Sequence, residues 1–419
     1  MKKRIILCIS LMLVAVMALG IITPLLRPEY KSINLSPADV NNKANKEIRF
    51  NSEGKLKILH ITDTHLNLQH RYNFDPTIWL VERACDTEKP DIVMLTGDIV
   101  VNCENPEDTK KMINALMNVF DSRGIPVAVT FGNHDSEQGA MSREDLMAYY
   151  NSFSCSLSVD DGDGLSGCGT YSIPVLSSKS DEVKFNLWVF DSGDYDENGR
   201  YSCVKPDQIE WYKKASDKLK SENNGKAINS LVFQHIIVGE IYDALKKSEE
   251  WKSYSYKSLY SDDEYYMFNP ESENYGTIRE TPCPGYENYG QFEEMVKQGD
   301  VLAMFTGHDH TNAFGVKYKG IDIVNSLSTR YISLFHSTQC GYRVIEVNEN
   351  DTSTYETRVE RIFDNFNFST VMEEIKNGDT STRLIALEFA TKGKIQRLAT
   401  IVYGRLVEAV TGRTVTYQD

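Results

Sequence analysis

"VLAMFTGHDHTN", residues 301–312, runs from an apolar stretch through a glycine into two histidines one residue apart. The chain has eight histidines in all, and two of them fall here. The apolar stretch reads as a buried strand, which puts His308 and His310 in the loop leaving its carboxyl end. Side chains in such loops gather at one edge of an α/β sheet, where ligands bind. The fold and the function both turn on whether other strands end the same way.

They do. "KLKILHIT" (55–62), "DIVMLTG" (91–97), "IPVAVTFG" (125–132), "FNLWVFD" (185–191) and "SLVFQH" (230–235) are further short apolar runs that read as buried strands. Helical patterns lie between them. "DPTIWLVERACDTEKP" (75–90) is one, and "PEDTKKMINALMNVF" (106–120) is another, with Pro106 at its first turn. Strands alternating with helices of this length predict an α/β layered core. The runs at 55, 91, 125, 230 and 301 are each followed by metal-type residues. These are Asp63 and His65 in "DTH", Asp98 in "TGD", Asn133, His134 and Asp135 in "GNHD", then His235, and finally His308 and His310.

Each piece alone is ordinary. An isolated Asp-x-His carries no meaning, "GD" after a strand is a common turn, and "GNHD" contains helix-capping types. A lone His235 would read as a satisfied core histidine. Together, in order and each after an apolar run, they form a constellation. His60 and His70 lack that placement and read as structural, whereas His336 in "SLFHSTQ" is a candidate for the rim. Carboxylate oxygen and imidazole nitrogen suit two divalent ions, Mn, Fe, Zn or Mg, and the lack of cysteine ligands argues against structural zinc. A pair of ions needs a bridging carboxylate. Their charge would dominate the site within an acidic chain, and phosphoryl transfer needs such positioning and charge stabilisation.

In this order, DxH, GD, GNHD, a lone His and GHxH resemble the calcineurin-like metallophosphoesterases, over roughly residues 55–350. "FDSGDY" (190–195) is similar to the branch related to purple acid phosphatases. The resemblance implies an α/β fold built as a two-sheet β-sandwich flanked by helices. It implies Asp63, His65 and His310 on one metal, Asn133, His235 and His308 on the other, and Asp98 bridging. His134 would contact the phosphate and leaving group, oriented by Asp135. The implied reaction is hydrolysis of a phosphomonoester by in-line attack of a metal-bridging hydroxide. Diester or pyrophosphate hydrolysis is the alternative on the same fold, and a metal-binding surface protein without turnover is the alternative from another class. One position departs from the branch: Val101 stands where purple acid phosphatases carry a tyrosine ligand, three residues after the bridging aspartate.

The remainder of the chain bounds the partners. With 45 basic and 60 acidic residues the formal charge is −15, which disfavours nucleic acid and leaves a small-molecule phosphoester as the expected partner. "MKKR" followed by the uncharged residues 5–26 reads as an export signal or as a signal-anchor of spanning length. Either places the bulk of the chain outside the cytoplasm, secreted or tethered to the membrane. Residues 27–50 are polar and read as a linker, 51–350 as the phosphoesterase domain, and 351–419 as a C-terminal extension without identifiable chemistry. Within the domain, 236–300 is acidic, carries nine of the 23 tyrosines, and reads as an insertion near the mouth of the site. "DDGDG" (160–164) lacks the spacing of a calcium loop and reads as a turn. An exported chain can form disulfides, and Cys155 with Cys168 is one candidate local pair, the pairing being left open by the sequence.

Overall fold

Two sheets carry the fold in the computed structural model, which describes residues 33–37, 47–137, 140–159, 164–249, 252, 255–331, 340–361 and 383–385. The first sheet has five strands in the order Asp351–Arg361, Gly341–Asn348, Lys55–Ile61, Ile92–Thr96 and Val127–Thr130. The last three run parallel, and the first two form an antiparallel hairpin against them. The second sheet has eight strands. Its order is Ile48–Arg49, Tyr171–Leu176, Val183–Val189, Ser230–Phe233, Val301–Thr306, Ile321–Asn325, Ala313–Tyr318 and Asn274–Thr277. The four from Val183–Val189 to Ile321–Asn325 are mutually parallel.

The alternation of side chains along each strand sorts them into layers. Leu56, Ile58 and Met94 of the first sheet meet Leu187, Phe233 and Phe305 of the second in one buried cluster, the filling of the sandwich. The opposite faces point outward. Leu59, Ile61, Val93 and Leu95 pack under the helices Arg71–Glu88 and Pro106–Asp121. Trp188, Val232 and Met304 pack under Pro206–Glu222 and Gln291–Gln298, through Tyr212, Phe292 and Met295. Ile92–Thr96 and Val127–Thr130 are buried along their whole length, which is why they read as continuous apolar runs. Pro106–Asp121 starts where the sequence places it: Pro106 is in the first turn and Asn105 Oδ1 accepts from Asp108 N at 2.9 Å. The architecture is the helix-flanked two-sheet sandwich expected.

Three segment boundaries differ from the sequence reading. Within the stretch read as a linker, Ile48 and Arg49 pair in parallel with Val175 and Leu176, so the second sheet begins there. Ile33 and Leu35 also pack on the helical layer, and the carbonyls of Asn34 and Leu35 accept from Asn118 and Asn114. The region 236–300 is woven into the domain. Asn274–Thr277 is an edge strand of the second sheet, and Ile241, Ala244, Leu245 and Ile278 are buried in its outer core. Three of its tyrosines fasten the segment to itself: Tyr242, Tyr256 and Tyr260 donate to the carbonyls of Pro282, Ile278 and Pro284. Lys246–Ser248, Tyr256–Lys257 and Tyr265–Met267 form a small antiparallel sheet. The boundary at 350 falls in the turn of the outer hairpin, where Asn348 pairs with Asp351.

The leader at 1–26, His336, residues 160–163 of "DDGDG" and nearly all of the tail beyond 361 lie outside the described residues. Among the described residues no helix is long and apolar enough to cross a membrane. Cys155 and Cys168 are both buried in the cluster beneath the helices of the first sheet.

Candidate dinuclear metal centre

The parallel strands of both sheets end at one edge, and the loops that leave them interlock there. Gly132 lets two loops touch: a Cβ at that position would lie 2.2 Å from Asp98 Oδ1 and 2.5 Å from Asp98 N. Gly307 does the same across the sandwich, where a Cβ would stand 2.0 Å from Thr62 Oγ1 and 2.4 Å from Asp63 Oδ2. The glycines of "GNHD" and "GHDH" are therefore required by close approach. The backbone is also bent hard. Asp63, His65, Asp98 and His308 have φ of 52°, 43°, 52° and 71°, and they are half of the eight non-glycine residues with positive φ among the described residues. Side chains avoid that region because Cβ crowds the carbonyl, and such residues cluster at functional sites.

These bends bring the expected side chains into two groups. In the first, Asp63, His65, Asp98 and His310 each offer a ligand atom, all within 4.8 Å of one another. His65 Nε2 is 3.0 Å from His310 Nε2 and 3.5 Å from Asp98 Oδ2, and His310 Nε2 is 3.4 Å from Asp63 Oδ1. The second group is Asp98, His235 and His308, again within 4.8 Å. Asn133 joins it, with Oδ1 3.2 Å from His235 Nε2. Asp98 belongs to both groups, and its Oδ2 is 3.4 Å from His235 Nε2.

Surrounding groups aim these atoms. Asp63 Oδ2 accepts from Thr62 Oγ1 at 2.7 Å and from His308 N at 3.0 Å, which leaves Oδ1 facing the centre. Asp98 Oδ1 accepts from His134 N at 2.8 Å, which leaves Oδ2 free in the same way. His235 Nδ1 lies 2.8 Å from the Thr96 carbonyl, so it donates there and Nε2 is turned inward toward Asp98. Asn133 Nδ2 donates to Tyr195 Oη at 2.8 Å, which turns its amide oxygen toward His235. Tyr195 stacks on Tyr201, and Tyr201 meets the His308 ring edge-on at 4.3 Å. His60, by contrast, is saturated inside the sandwich by Ser326 Oγ and Thr96 Oγ1, as its placement suggested.

The electrostatics fit a cation site. Burial works against ionising Asp63, yet the charge on His235 and hydrogen bonds from His310 and His65 hold it well below the usual carboxylate range. Burial likewise works against a charged His235, but Asp98 and Asp63 push it up to about 10. The two carboxylates thus draw a proton onto a buried imidazole, and a divalent ion would release it. His308 is lowered to about 3 by burial and by the charge of His235, so its nitrogen is available as a ligand. Asp63 Oδ1, Asp98 Oδ2 and His308 Nε2 are three of the twelve buried side-chain atoms without a hydrogen-bond partner among the described residues. Such orphaned atoms are rare in folded chains. Here all three belong to residues of the two groups, where a pair of divalent ions would satisfy them.

One residue departs from its expected role. Asp135 does not face the His134 ring. Its carboxylate accepts from four buried backbone amides: Asp98 and Gly132 at 2.8 Å, Ile99 at 2.9 Å and Val100 at 3.2 Å. It braces the loop that carries Asp98. The partner of His134 is Glu137, whose Oε2 is 2.5 Å from Nδ1. Sequence reasoning missed Glu137, and the one signal for it is its position three residues after the histidine in "HDSE". Sequence reasoning also missed Tyr195, the last residue of "FDSGDY", and Tyr201 as supports.

Comparison with known proteins gives the family. The profile described as calcineurin-like phosphoesterase matches residues 56–312. The Arabidopsis thaliana protein named "Probable inactive purple acid phosphatase 14" is 28% identical over 311 residues, covering 66% of this chain and 71% of that one. "Probable inactive purple acid phosphatase 29" of the same plant is 26% identical, covering 69% and 75%. A dimetal phosphatase from Danio rerio aligns in structure over 73% of this chain and 98% of that one, at 13% identity and a TM-score of 0.45. With the family profile spanning more than half of its length, the chain belongs to the calcineurin-like phosphoesterase family.

Proposed function

We propose that the protein is a dinuclear-metal phosphomonoesterase acting outside the cytoplasm. The observation that carries this reading is Asp98, a buried carboxylate shared by two ligand groups with its inner oxygen unsatisfied. Asp63, His65, Asp98 and His310 would hold one divalent ion, and Asp98, Asn133, His235 and His308 the other. Bound there, the pair supplies Lewis acidity toward a phosphoryl oxygen and a water activated at neutral pH. The chain's own residues do the rest. His134 Nε2 stands 4.0 Å from Asp98 Oδ2 at the rim of the centre, where it can bind the phosphate or pass a proton to the leaving oxygen. Tyr195 and Tyr201 hold Asn133 and His308 in place. Export is supported by the basic start and the apolar residues 5–26.

A second reading, metal binding without turnover, takes support from the words "probable inactive" in the names of both plant relatives. Against it, every side chain of the two groups is present here, together with His134. The deciding experiment is a panel of phosphomonoesters, diesters and pyrophosphates. It uses metal-stripped protein resupplied with Mn, Fe, Zn or Mg. Turnover of monoesters above diesters is expected. Two bound ions with no turnover of any phosphoester would establish the non-catalytic reading.

A further inference from the structure

We infer that Glu137 is the positioning residue of His134, holding its imidazole so that Nε2 faces the centre. The inference rests on the hydrolase reading above and adds a component that the family motifs do not contain. An imidazole that exchanges a proton with a leaving group needs its second nitrogen fixed, or the ring turns and the transferring nitrogen is misplaced. The neighbouring acid in sequence, Asp135, is excluded by its four backbone amides. Position 101, three residues after the shared aspartate, is Val101 and has no polar atom to offer.

Glu137 fills that place. Its Oε2 lies 2.5 Å from His134 Nδ1, across a turn closed by Glu137 N on the His134 carbonyl. The residue is held through its backbone and its ring. His134 N donates to Asp98 Oδ1, Nδ1 is engaged by Glu137, and the ring lies against His65 with centroids 5.3 Å apart. With the Nδ1 proton given to a carboxylate, Nε2 is the nitrogen left toward the substrate. Both side chains are partly exposed, at 30% and 39%, so the pair adds little to stability and its effect is on geometry.

The test compares Glu137→Ala, Glu137→Gln, His134→Ala and the double variant Glu137→Ala/His134→Ala. Each is assayed on a nitrophenyl and an alkyl phosphate, with metal content measured in parallel. Glu137→Ala should keep two ions and an unchanged KM while losing roughly 10–100-fold in kcat on the alkyl ester, the usual cost of removing such a partner. The nitrophenyl ester, whose leaving group needs little protonation, should lose far less. Glu137→Gln, which can still accept from Nδ1, should recover most of the activity. The double variant should be no slower than His134→Ala, because the two act as one unit. Nitrogen NMR should show the Nδ1-protonated tautomer of His134 in the wild type and lose it in Glu137→Ala. Equal losses on both esters, an additive double variant or an unchanged tautomer would overturn the role of Glu137 while leaving the hydrolase reading intact. A wild type silent on every phosphoester would overturn both.

Discussion

Replacing Asp135 by alanine separates two roles that the sequence alone confuses. If Asp135 oriented the His134 ring, the variant would fold normally and lose proton transfer. The structure gives it different work, as the common acceptor for the amides of Asp98, Ile99, Val100 and Gly132. The residue is 3% exposed, so water does not already serve those donors. Each buried donor left unsatisfied costs about 1–3 kcal/mol, so four cost roughly 4–12 kcal/mol, the lower end applying if water enters the vacated space. A domain holds only about 5–15 kcal/mol in total, so Asp135→Ala should be severely unstable. The loss should depend on pH. Burial and the adjacent Asp98 raise Asp135 to about 6, against the pull of its amide donors. A carboxyl whose folded pKa lies above its unfolded value of about 3.9 costs stability as pH rises between the two. In metal-free protein, therefore, the difference between wild type and variant should be larger near pH 4.5 than at pH 7. Urea denaturation of the metal-free proteins, followed by circular dichroism at both pH values, measures this directly. An Asp135→Ala protein within about 1 kcal/mol of wild type, yet slow on alkyl phosphates alone, would refute the bracing role and restore the orienting one.

Two further outcomes follow from the centre itself. Asp98→Asn should lower the occupancy of both ions at once, because one carboxylate serves both groups; elemental analysis returning two full equivalents would remove Asp98 as the bridge. Iron loaded in air should give no intense purple band, since Val101 cannot ligate and the Tyr195 phenol beside the ligand Asn133 is engaged by its amide; a tyrosinate signature in the resonance Raman spectrum would show that a phenolate reaches the metal.

The centre was legible because its ligands obey a rule of position. Asp63, Asp98, Asn133, His235 and His308 each follow an apolar run, and the parallel strands carry all five to one edge. What stayed hidden lacked such a rule. Glu137 is a part-exposed acid in a turn and looks like any solvated charge until its distance from His134 is known. Asp135 stands next to His134 in sequence, but adjacent side chains leave the backbone in different directions, so adjacency suggested a contact that does not exist. The strands Ile48–Arg49 and Asn274–Thr277 are short, lie at sheet edges and have little apolar periodicity, which is why they read as linker and insertion. The tyrosines of 236–300 carried no sign that several of their hydroxyls bind carbonyls of the same segment.

The same edge explains how a strained site persists. Four of the proposed ligands sit in left-handed backbone, at a cost of about 1–2 kcal/mol each. That strain is offset by contacts that need no ligand. Asp135 holds the amides of the Asp98 loop, Thr62 and His308 N hold Asp63, and Asn325 Nδ2 holds the Gly307 carbonyl at 2.8 Å. The Asp63 amide donates to the Gly97 carbonyl and the His65 amide to the Asp98 carbonyl, so the first two loops are laced together along their backbones. The bends are thus fixed by the loops' hold on one another. An ion arriving at the centre would find the oxygens of Asp63 and Asp98 already aimed, with little left to order. The arrangement leaves no slack at its contact points. At Gly132 the smallest side chain would press a Cβ to 2.2 Å from Asp98 Oδ1, displacing the one carboxylate that both ligand groups share.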